Sequence, residues 1–591
     1  MADGAPRRTA AHEVERPSAS NVEAMAWVSD AVAEMLRRLG IEYIALVPGS
    51  SYRGLHDSLV NYLGNRAPQM LVCLHEEHAV AIAHGWAKVR ERPMAAAVHA
   101  NVGLMHAAMA VFNAWCDRAP MLVLGATGPV DAGKRRPWID WIHTARDQGA
   151  LVRNYVKWDE QPASAQAAVE AMARGHKLAA EAPRGPVYLC FDVGLQEAAL
   201  AEPVRFPELS RRQPAPPAAP DQATLARAAE ALLAAEKPLI LAGRVSRDPQ
   251  TWQRRIALAE RLQARVLTDM KTAAAFPTGH PLHPVPPIFF LSEAARQLVR
   301  EADVILSLDW LDLGGLLEQV WPQEAVSATV IGASIDERLA NGWSYDHQAP
   351  ADVDIELGAD PDVVVAALCG HLDIAAAEPR PPQRRPPTAP ATGPIDLTAL
   401  ARGLSLATAG REVCLMRLPL GWPGEWLPSD GPLDYLGYDG GAGLGSGPGM
   451  AVGGALALQG SGRLPIAVLG DGDFLMAASA LWTAAHYAIP LLVVVANNRS
   501  YFNDELHQER VARQRGRPLA NRWVGQRLDQ PPVDVPGLAR SLGLQAPPTV
   551  RRAEDLAAVL TEALAAVAGG AAVVVDVEID PGYASPMVGT G

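Results

Sequence analysis

The stretch that decides the fold is PIAVLGDGDFLMAASALWTAAHYAIPLLVVVANNRSYFND, residues 465–504. An apolar run ends at Leu469, the GDG motif at 470–472 turns the chain into a helical segment, and a second apolar run ends at the NN motif at 497–498. Strand, helix and strand in this order form a crossover between parallel strands, so both motifs fall at the carboxyl edge of one sheet. Because open α/β sheets bind ligands at that edge, the stretch predicts a ligand site there.

The two motifs, with 24 residues between them, carry groups that suit a metal-bound phosphate. Gly470 and Gly472 permit a tight turn and the close approach of a phosphate to backbone N–H groups at a helix N-terminus. The side chains of Asp471 and Asn498 offer hard oxygen atoms that suit Mg²⁺ bridging to a diphosphate. A nicotinamide-type G-x-G-x-x-G and a Walker lysine are both missing from these motifs and from the Gly-rich run at 440–449.

The rest of the chain indicates an α/β fold of three consecutive domains with parallel sheets flanked by helices. Two Pro- and Arg-rich segments read as linkers, at 201–220 and 378–394. Near-continuous apolar runs separated by helical segments favour parallel sheets that are covered on both faces. The predicted parts are a flexible tail at 1–20 and domains at 21–200, 221–377 and 395–591. The predicted strands lie at 43–48, 70–74, 94–99, 121–126, 187–193, 238–243, 264–268, 303–309, 412–416, 465–471, 490–498 and 571–579.

Composition narrows the class of protein. The 591 residues are 49% hydrophobic and 20% charged, with a formal net charge of −13, which disfavours nucleic acid or an anionic membrane as a partner. The five cysteines have no C-x-x-C spacing and predict reduced, mostly buried thiols. The N-terminus has no apolar signal region, and the longest apolar runs have only strand length. We therefore expect a soluble cytoplasmic protein.

The segment LHEEHAVAIAHGWAKV at 74–89 resembles a metal-binding helix. A zinc-protease helix needs two histidines four residues apart, whereas His75 and His78 are three apart and no His/Cys cluster is near them in sequence. A helix start with His75, Glu77 and His78 in solvent is the better interpretation. Glu76 is the exception.

The spacing of GDG and NN resembles the thiamine diphosphate-binding motif of the decarboxylase and acetolactate synthase superfamily. The resemblance covers nearly the whole chain after residue 21 and implies a pyrimidine-binding, a central and a diphosphate-binding domain. Within the superfamily, the chain is most similar to the benzoylformate decarboxylases. The similar segments are ALWTAAHYAIP, FPTGHP, VDVPGLARSLG and VHANVG…NAWCDRAP.

The resemblance implies that Glu76 is the catalytic carboxylate of the pyrimidine domain. Glu76 is followed nine residues later by the Gly-aromatic-Ala segment 85–87, as the family pattern requires, whereas Glu77 is one residue out of step and is expected to be a surface charge. A carboxylate at N1′ of the aminopyrimidine favours the imino tautomer, whose nitrogen activates the thiazolium.

By the same resemblance, the chain binds thiamine diphosphate and Mg²⁺ through its third domain. Leu444 matches the side chain that holds the cofactor bent, and the carbonyl of Ala442 matches the acceptor of the 4′-amino group. The implied metal ligands are the side chains of Asp471 and Asn498 and the main-chain oxygen of Ser500. The implied cofactor-binding residues are Glu76, Ala442, Leu444, Gly470, Asp471, Gly472, Asp473 and Asn498.

Ser50 and His99 match the family positions that meet the substrate carboxylate and transfer protons. His99 lies 23 residues after Glu76, as the family's histidine does. The family's second histidine is missing after the segment 306–315, and we expect His507 to replace it in part.

Other departures from the family pattern affect the substrate and the cofactor. The segment RSYFNDELHQER at 499–510, with Asp504, is more polar than in the family. The loop at 416–423 lacks the usual hydroxyl groups, and Asp473 replaces a common serine.

The implied function is a thiamine diphosphate- and Mg²⁺-dependent non-oxidative decarboxylase of a 2-oxo acid, with carboligase activity on an aldehyde as an extension. An acetolactate synthase-like carboligase, an oxalyl-CoA or 2-hydroxyacyl-CoA lyase and a non-catalytic thiamine diphosphate-fold protein stay open as alternatives. The resemblance also implies a homodimer as the minimal active unit and a homotetramer as the usual form. Whether the central domain binds FAD, ADP or CoA, or nothing, is left open.

Overall fold

A computed structural model of the chain describes residues 15–18, 24–339, 351–378, 389 and 391–581. The predicted tail at 1–20 and the predicted linker at 378–394 lie largely outside the described residues. In the described part of the tail, the Glu15 carboxylate accepts a hydrogen bond of 2.7 Å from the Tyr487 hydroxyl, so this residue contacts the folded body.

The first sheet has six parallel strands in the order β2-β1-β3-β4-β6-β5. All five strands that the sequence predicts here are confirmed, whereas β5 was not predicted because it is a two-residue polar edge. The strands are β1 (Tyr43–Leu46), β2 (Gln69–Val72), β3 (Met94–Ala97), β4 (Met121–Thr127), β5 (Asp159–Glu160) and β6 (Pro186–Asp192). The helices are α1 (Val28–Arg38), α2 (Arg53–Asp57), α3 (Glu76–Arg90), α4 (Ala100–Cys116), α5 (Ile139–Ile142), α6 (Ala165–Ala180) and α7 (Val193–Gln196).

The second sheet has five parallel strands in the order β11-β10-β9-β7-β8. The sequence predicts three of them and misses β10 and β11, because Thr and Gly interrupt the first run and the second has two residues. The strands are β7 (Pro238–Ala242), β8 (Arg265–Thr268), β9 (Val304–Leu308), β10 (Thr329–Ala333) and β11 (Ile355–Glu356). The helices are α8 (Gln222–Ala234), α9 (Pro249–Leu262), α10 (Glu293–Arg300), α11 (Leu313–Val320) and α12 (Pro361–His371).

The third sheet has four parallel strands in sequence order, and all four were predicted. They are β12 (Val413–Arg417), β13 (Leu464–Gly470), β14 (Leu491–Asn497) and β15 (Ala572–Glu578). The helices are α13 (Leu397–Thr408), α14 (Gly447–Leu458), α15 (Asp471–Ala477), α16 (Leu481–His486), α17 (Phe502–Gln514), α18 (Val535–Ser541) and α19 (Ala553–Ala568). The predicted α/β class with helix-flanked parallel sheets is therefore confirmed.

Two glycines let helix α3 of the first part pack directly on helix α14 of the third. A Cβ at Gly85 would overlap the carbonyl oxygen of Met450, and a Cβ at Gly453 would overlap that of Ile82. Because the backbones touch, the two helices form one buried seam, and the N-terminus of α3 lies beside the loop that precedes α14.

All five cysteines lie in the described residues and are free, and four of them are buried. This outcome confirms the prediction of unpaired thiols. Within the described ranges, no helix is both long and apolar enough to cross a bilayer.

Candidate active site

The GDG and NN motifs lie side by side at the carboxyl edge of the third sheet, as the sequence predicts. Strand β13 ends at Gly470, α15 begins at Asp471, and β14 ends at Asn497. The parallel register pairs Gly470 with Ala496, which brings the two strand ends together.

Asp471 is the group at this edge of the sheet that best suits a bound cation. Its side chain is buried, and its Oδ2 atom has no hydrogen-bond partner. Burial raises the pKa of Asp471 to about 6, against nearby backbone N–H groups that lower it. An unpartnered buried carboxylate oxygen is costly unless a positive charge neutralises it, so the geometry fits the predicted Mg²⁺.

The other two predicted metal residues lie in the same turn. The Asn498 Oδ1 atom accepts a hydrogen bond of 3.0 Å from the Ser500 backbone N–H, and the Ser500 hydroxyl donates to Glu505. The main-chain oxygen of Ser500, which the resemblance implies as a metal ligand, belongs to this turn, and its role stays a prediction.

Asp473 holds the loop before α14 and pairs with a buried arginine, which the sequence did not predict. Its carboxylate accepts hydrogen bonds from the backbone N–H groups of Gly445 (2.7 Å) and Gly447 (3.3 Å), and it pairs with the Arg417 guanidinium at 3.1 Å. Arg417 also contacts Asp439 at 2.7 Å, and all three charged side chains are buried. Although burial lowers it, contact with both carboxylates raises the pKa of Arg417.

Sequence reasoning missed Arg417, because the loop at 416–423 was read only for the hydroxyl groups that it lacks. The sequence did contain a signal: Arg417 is a single arginine at the end of an apolar strand. A buried charge of this kind requires acidic partners.

Two cofactor residues implied by the resemblance stand at the tip of the loop before α14. Ala442 is exposed and has a left-handed backbone with φ of 54°, and Leu444 is 40% exposed although it is a large apolar side chain. A strained non-glycine residue and an exposed leucine on one loop are typical of a ligand clamp. Both positions therefore fit the predicted contact with the cofactor.

Glu76 begins helix α3 and is only 7% exposed. Its Oε2 atom lies 3.0 Å from the Nδ1 atom of His106 on α4, and the absence of a side chain at Gly103 leaves room for its other oxygen, Oε1. His75 stacks on His106, so His75, Glu76 and His106 place ligating atoms within 4.8 Å of one another. The Glu76–His106 hydrogen bond and the ring stack account for this closeness without a metal.

The expectation that the other three HEEH residues lie in solvent is wrong, because His78 is buried and both His75 and Glu77 are half-buried. His78 is 4% exposed, and burial followed by the nearby His75 lowers its pKa to about 4. Glu77, which was expected to be a surface charge, is half-buried, and burial followed by Asp473 raises its pKa. Packing of α14 on α3 is the physical reason for both outcomes, and the sequence alone does not reveal it.

His99 is held by Ser51, the neighbour of the predicted Ser50. Ser50 is exposed at the start of a 3₁₀ turn (Ser50–Tyr52), whereas Ser51 is buried and its Oγ lies 2.8 Å from His99 Nδ1. The Ser51 Oγ also accepts the Ala100 N–H at 3.1 Å, and Ala100 has a left-handed backbone with φ of 45°. Burial, followed by the nearby His143, lowers the pKa of His99.

The structure does not join His507 to this group. His507 and Asp504 are both exposed on α17, and in the described residues no hydrogen bond links His507 to Glu76 or His99. His143, which sequence reasoning missed, lies against His99 instead, with ring centroids 4.8 Å apart.

Comparison with known proteins shows the family to which the chain belongs. Models of the thiamine pyrophosphate enzyme family match three ranges of the chain: the N-terminal TPP binding domain at 26–151, the central domain at 225–340 and the C-terminal TPP binding domain at 421–577. The chain therefore belongs to the thiamine pyrophosphate-dependent enzyme family that includes the decarboxylases and acetolactate synthases.

Two relatives and one solved structure illustrate the similarity. The chain is 27% identical over 579 residues to a benzoylformate decarboxylase of Pseudomonas aeruginosa, covering 92% of this chain and 97% of that protein. It is 26% identical over 485 residues to a "Probable 2-ketoarginine decarboxylase" of the same species, covering 79% and 81%. Its fold matches a 4-hydroxybenzoylformate decarboxylase of Rhodococcus jostii with a TM-score of 0.75 and 22% identity, covering 94% and 99%.

Proposed function

We propose that the chain is a thiamine diphosphate- and Mg²⁺-dependent decarboxylase that releases CO₂ from a polar 2-oxo acid without oxidation. The observation that carries the proposal is the pair of buried acids on the two cofactor-binding parts. Glu76 opens α3, and Asp471 opens α15 with an unpartnered oxygen. When bound, thiamine diphosphate supplies the electron sink for decarboxylation.

Each residue has a defined task in this proposal. Glu76 would hold N1′ of the pyrimidine, while Asp471, Asn498 and the main-chain oxygen of Ser500 would hold Mg²⁺. His99, half-buried and fixed by Ser51, would give and take protons at the substrate.

A 2-oxo acid with a polar side chain fits the proposal better than one with a plain phenyl group. The segment at 499–510 exposes Asp504 and His507 on α17 next to the NN motif, where the sequence resemblance expects groups that face the substrate. A relative is named for decarboxylation of 2-ketoarginine, a 2-oxo acid with a guanidinium group, which supports this substrate class.

A homodimer is part of the proposal, with the homotetramer as its larger form. Leu74, two residues before Glu76, and Val102, Met105 and Met109 within helix α4 are exposed apolar side chains. Residues 102, 105 and 109 recur at helical spacing and therefore share one face. A second copy of the chain is the partner that would cover this face and bring its own GDG motif to Glu76.

The test is a panel of 2-oxo acids with thiamine diphosphate and Mg²⁺, in which CO₂ and the aldehyde product are both measured. The panel holds benzoylformate, its 4-hydroxy derivative, pyruvate and a guanidino 2-oxo acid. Glu76→Gln should reduce CO₂ release by at least about 10²-fold, whereas the exposed Glu160→Gln should have no effect. Equal turnover by wild type and Glu76→Gln would reject the proposal.

The same assay, extended with a second carbonyl acceptor and with CoA thioesters, separates the alternatives. Product formation only with a second carbonyl acceptor would indicate an acetolactate synthase-like carboligase. A requirement for CoA thioesters would indicate the lyase. Binding of thiamine diphosphate without turnover of any compound, including CoA thioesters, would indicate a non-catalytic protein.

A further inference from the structure

The short helix α5 and the residue that follows it place a second imidazole at the candidate site. The His143 backbone N–H donates to the Ile139 carbonyl at 3.0 Å, and the His143 carbonyl accepts from the Gly128 N–H at 3.3 Å. The Asn101 amide, two residues after His99, donates to the Ile142 carbonyl at 3.1 Å. The first bond closes the turn of α5, and the other two tie the segment to the end of β4 and to the start of α4, which fixes His143 relative to His99.

The two histidine rings meet edge to face. Their centroids are 4.8 Å apart and their planes differ by 88°. The Nδ1 atom of His143 is buried and has no hydrogen-bond partner. This nitrogen is therefore not committed to a hydrogen bond that would explain the position of the ring by itself.

We propose that His143 is a positioning residue for His99, which keeps the His99 imidazole uncharged and fixed for proton transfer at the substrate. The inference rests on the proposed function in so far as His99 is the proton-transfer group.

Ser51 and His143 both contact the His99 ring. The Ser51 Oγ accepts from Ala100 N–H, so its own proton is free to go to the His99 Nδ1 atom. With Nδ1 as the acceptor, the proton of neutral His99 lies on Nε2, away from Ser51.

The charged groups near His99 decide whether the removal of His143 raises or lowers the pKa of His99. After burial, His143 and Arg136 disfavour a charged His99, whereas Glu76 favours it. Arg136 is paired with Asp140, and His143 is therefore the neighbour whose removal is the cleaner test.

The test compares His143→Phe, which keeps an aromatic ring of similar shape, with wild type and with His371→Phe, a change at an exposed histidine of the central domain. The rate at which diethyl pyrocarbonate modifies His99 is measured against pH by mass spectrometry of the His99 peptide. Only the neutral imidazole reacts, so the midpoint of the profile reports the His99 titration. The measurement needs no substrate, so it separates failure of this inference from failure of the proposed function.

We expect the His99 midpoint to move to higher pH in His143→Phe and to stay unchanged in His371→Phe. On an accepted 2-oxo acid, kcat of His143→Phe should fall about 10-fold, with KM within about threefold, because His143 is not among the groups that the proposal assigns to substrate binding. A midpoint identical to wild type in a folded His143→Phe would overturn the proposal. So would full activity of the Phe variant, since packing alone would then account for His143.

Discussion

The carboxylate of Glu76 and the imidazole of His106 form a hydrogen bond of 3.0 Å between helices α3 and α4. Glu76 is 9% exposed in its side chain, whereas that of His106 is 48% exposed and its ring stacks on His75. One partner is buried and the other is open to solvent, so His106 can orient the Glu76 carboxylate while a ligand approaches it from outside.

This relationship predicts unequal effects of two substitutions. Glu76→Gln should reduce kcat for CO₂ release by at least about 10²-fold, because it removes the acid itself. His106→Phe keeps the ring stack on His75 and loses only the hydrogen bond, so kcat should fall by no more than about 10-fold. Steady-state kinetics at saturating cofactor measures both. Equal losses would mean that His106 is itself a proton-transfer group.

Because the backbones of α3 and α14 touch, we expect that a methyl group added at a glycine of this seam lowers the free energy of unfolding. Gly453→Ala should lower the free energy of unfolding by about 1–3 kcal/mol or more, because the new Cβ would overlap the Ile82 carbonyl. Gly370→Ala is the matched control, since a Cβ at this exposed position of α12 meets nothing within 4 Å. The control should be neutral or stabilising by up to about 1 kcal/mol. Chemical denaturation of the two variants tests the prediction, and similar losses in both would contradict it.

The buried charges around Arg417 predict a large loss when the guanidinium is removed. Arg417→Met would leave Asp439 and Asp473 buried without their cation, and we expect about 3–5 kcal/mol of destabilisation. Arg212→Met is the control, because its pair with Glu170 is exposed and should be worth at most about 1 kcal/mol. Unfolding free energies from denaturant titrations give the comparison. A loss below about 1 kcal/mol for Arg417→Met would show that the two acids do not depend on it.

Because His283 is buried with a lowered pKa, we expect the stability of the central domain to depend on pH. It is buried beside the Thr268 hydroxyl at 2.9 Å, and burial lowers its pKa to about 4 from an ordinary value of 6.5. As pH falls, the unfolded chain binds this proton first, so stability decreases between about pH 6.5 and pH 4 and loses nothing further below that. The loss attributable to this group at pH 5 should be about 2 kcal/mol.

The measurement is the free energy of unfolding at pH 7.5 and at pH 5. In His283→Gln the fall between these values should be smaller than in wild type by that amount, whereas the exposed His371→Gln should retain the full fall. An identical pH dependence in wild type and His283→Gln would show that His283 is not held neutral by the fold.

Most strands could be predicted from the sequence because an apolar run bounded by turn residues is a local pattern. The runs that become β13 and β14 are almost wholly apolar, as strands buried on both faces require, and the GDG and NN motifs directly end them. The short polar strand β5 carries no such pattern and was missed.

The sequence by itself predicted the parallel sheets and the neighbouring ends of β13 and β14, after which Asp471 and Asn498 follow, because a short crossover joins these two strands within about 30 residues. The family came from the resemblance of the GDG and NN spacing to a known motif. Only the tertiary structure decided the partners of the candidate catalytic groups: His106 for Glu76, Ser51 and His143 for His99, and Arg417 for Asp473. These partners come from separate helices and loops, and their contacts depend on how those elements pack. The burial of His78 and the partial burial of Glu77 beneath α14 also depend on how separate helices pack.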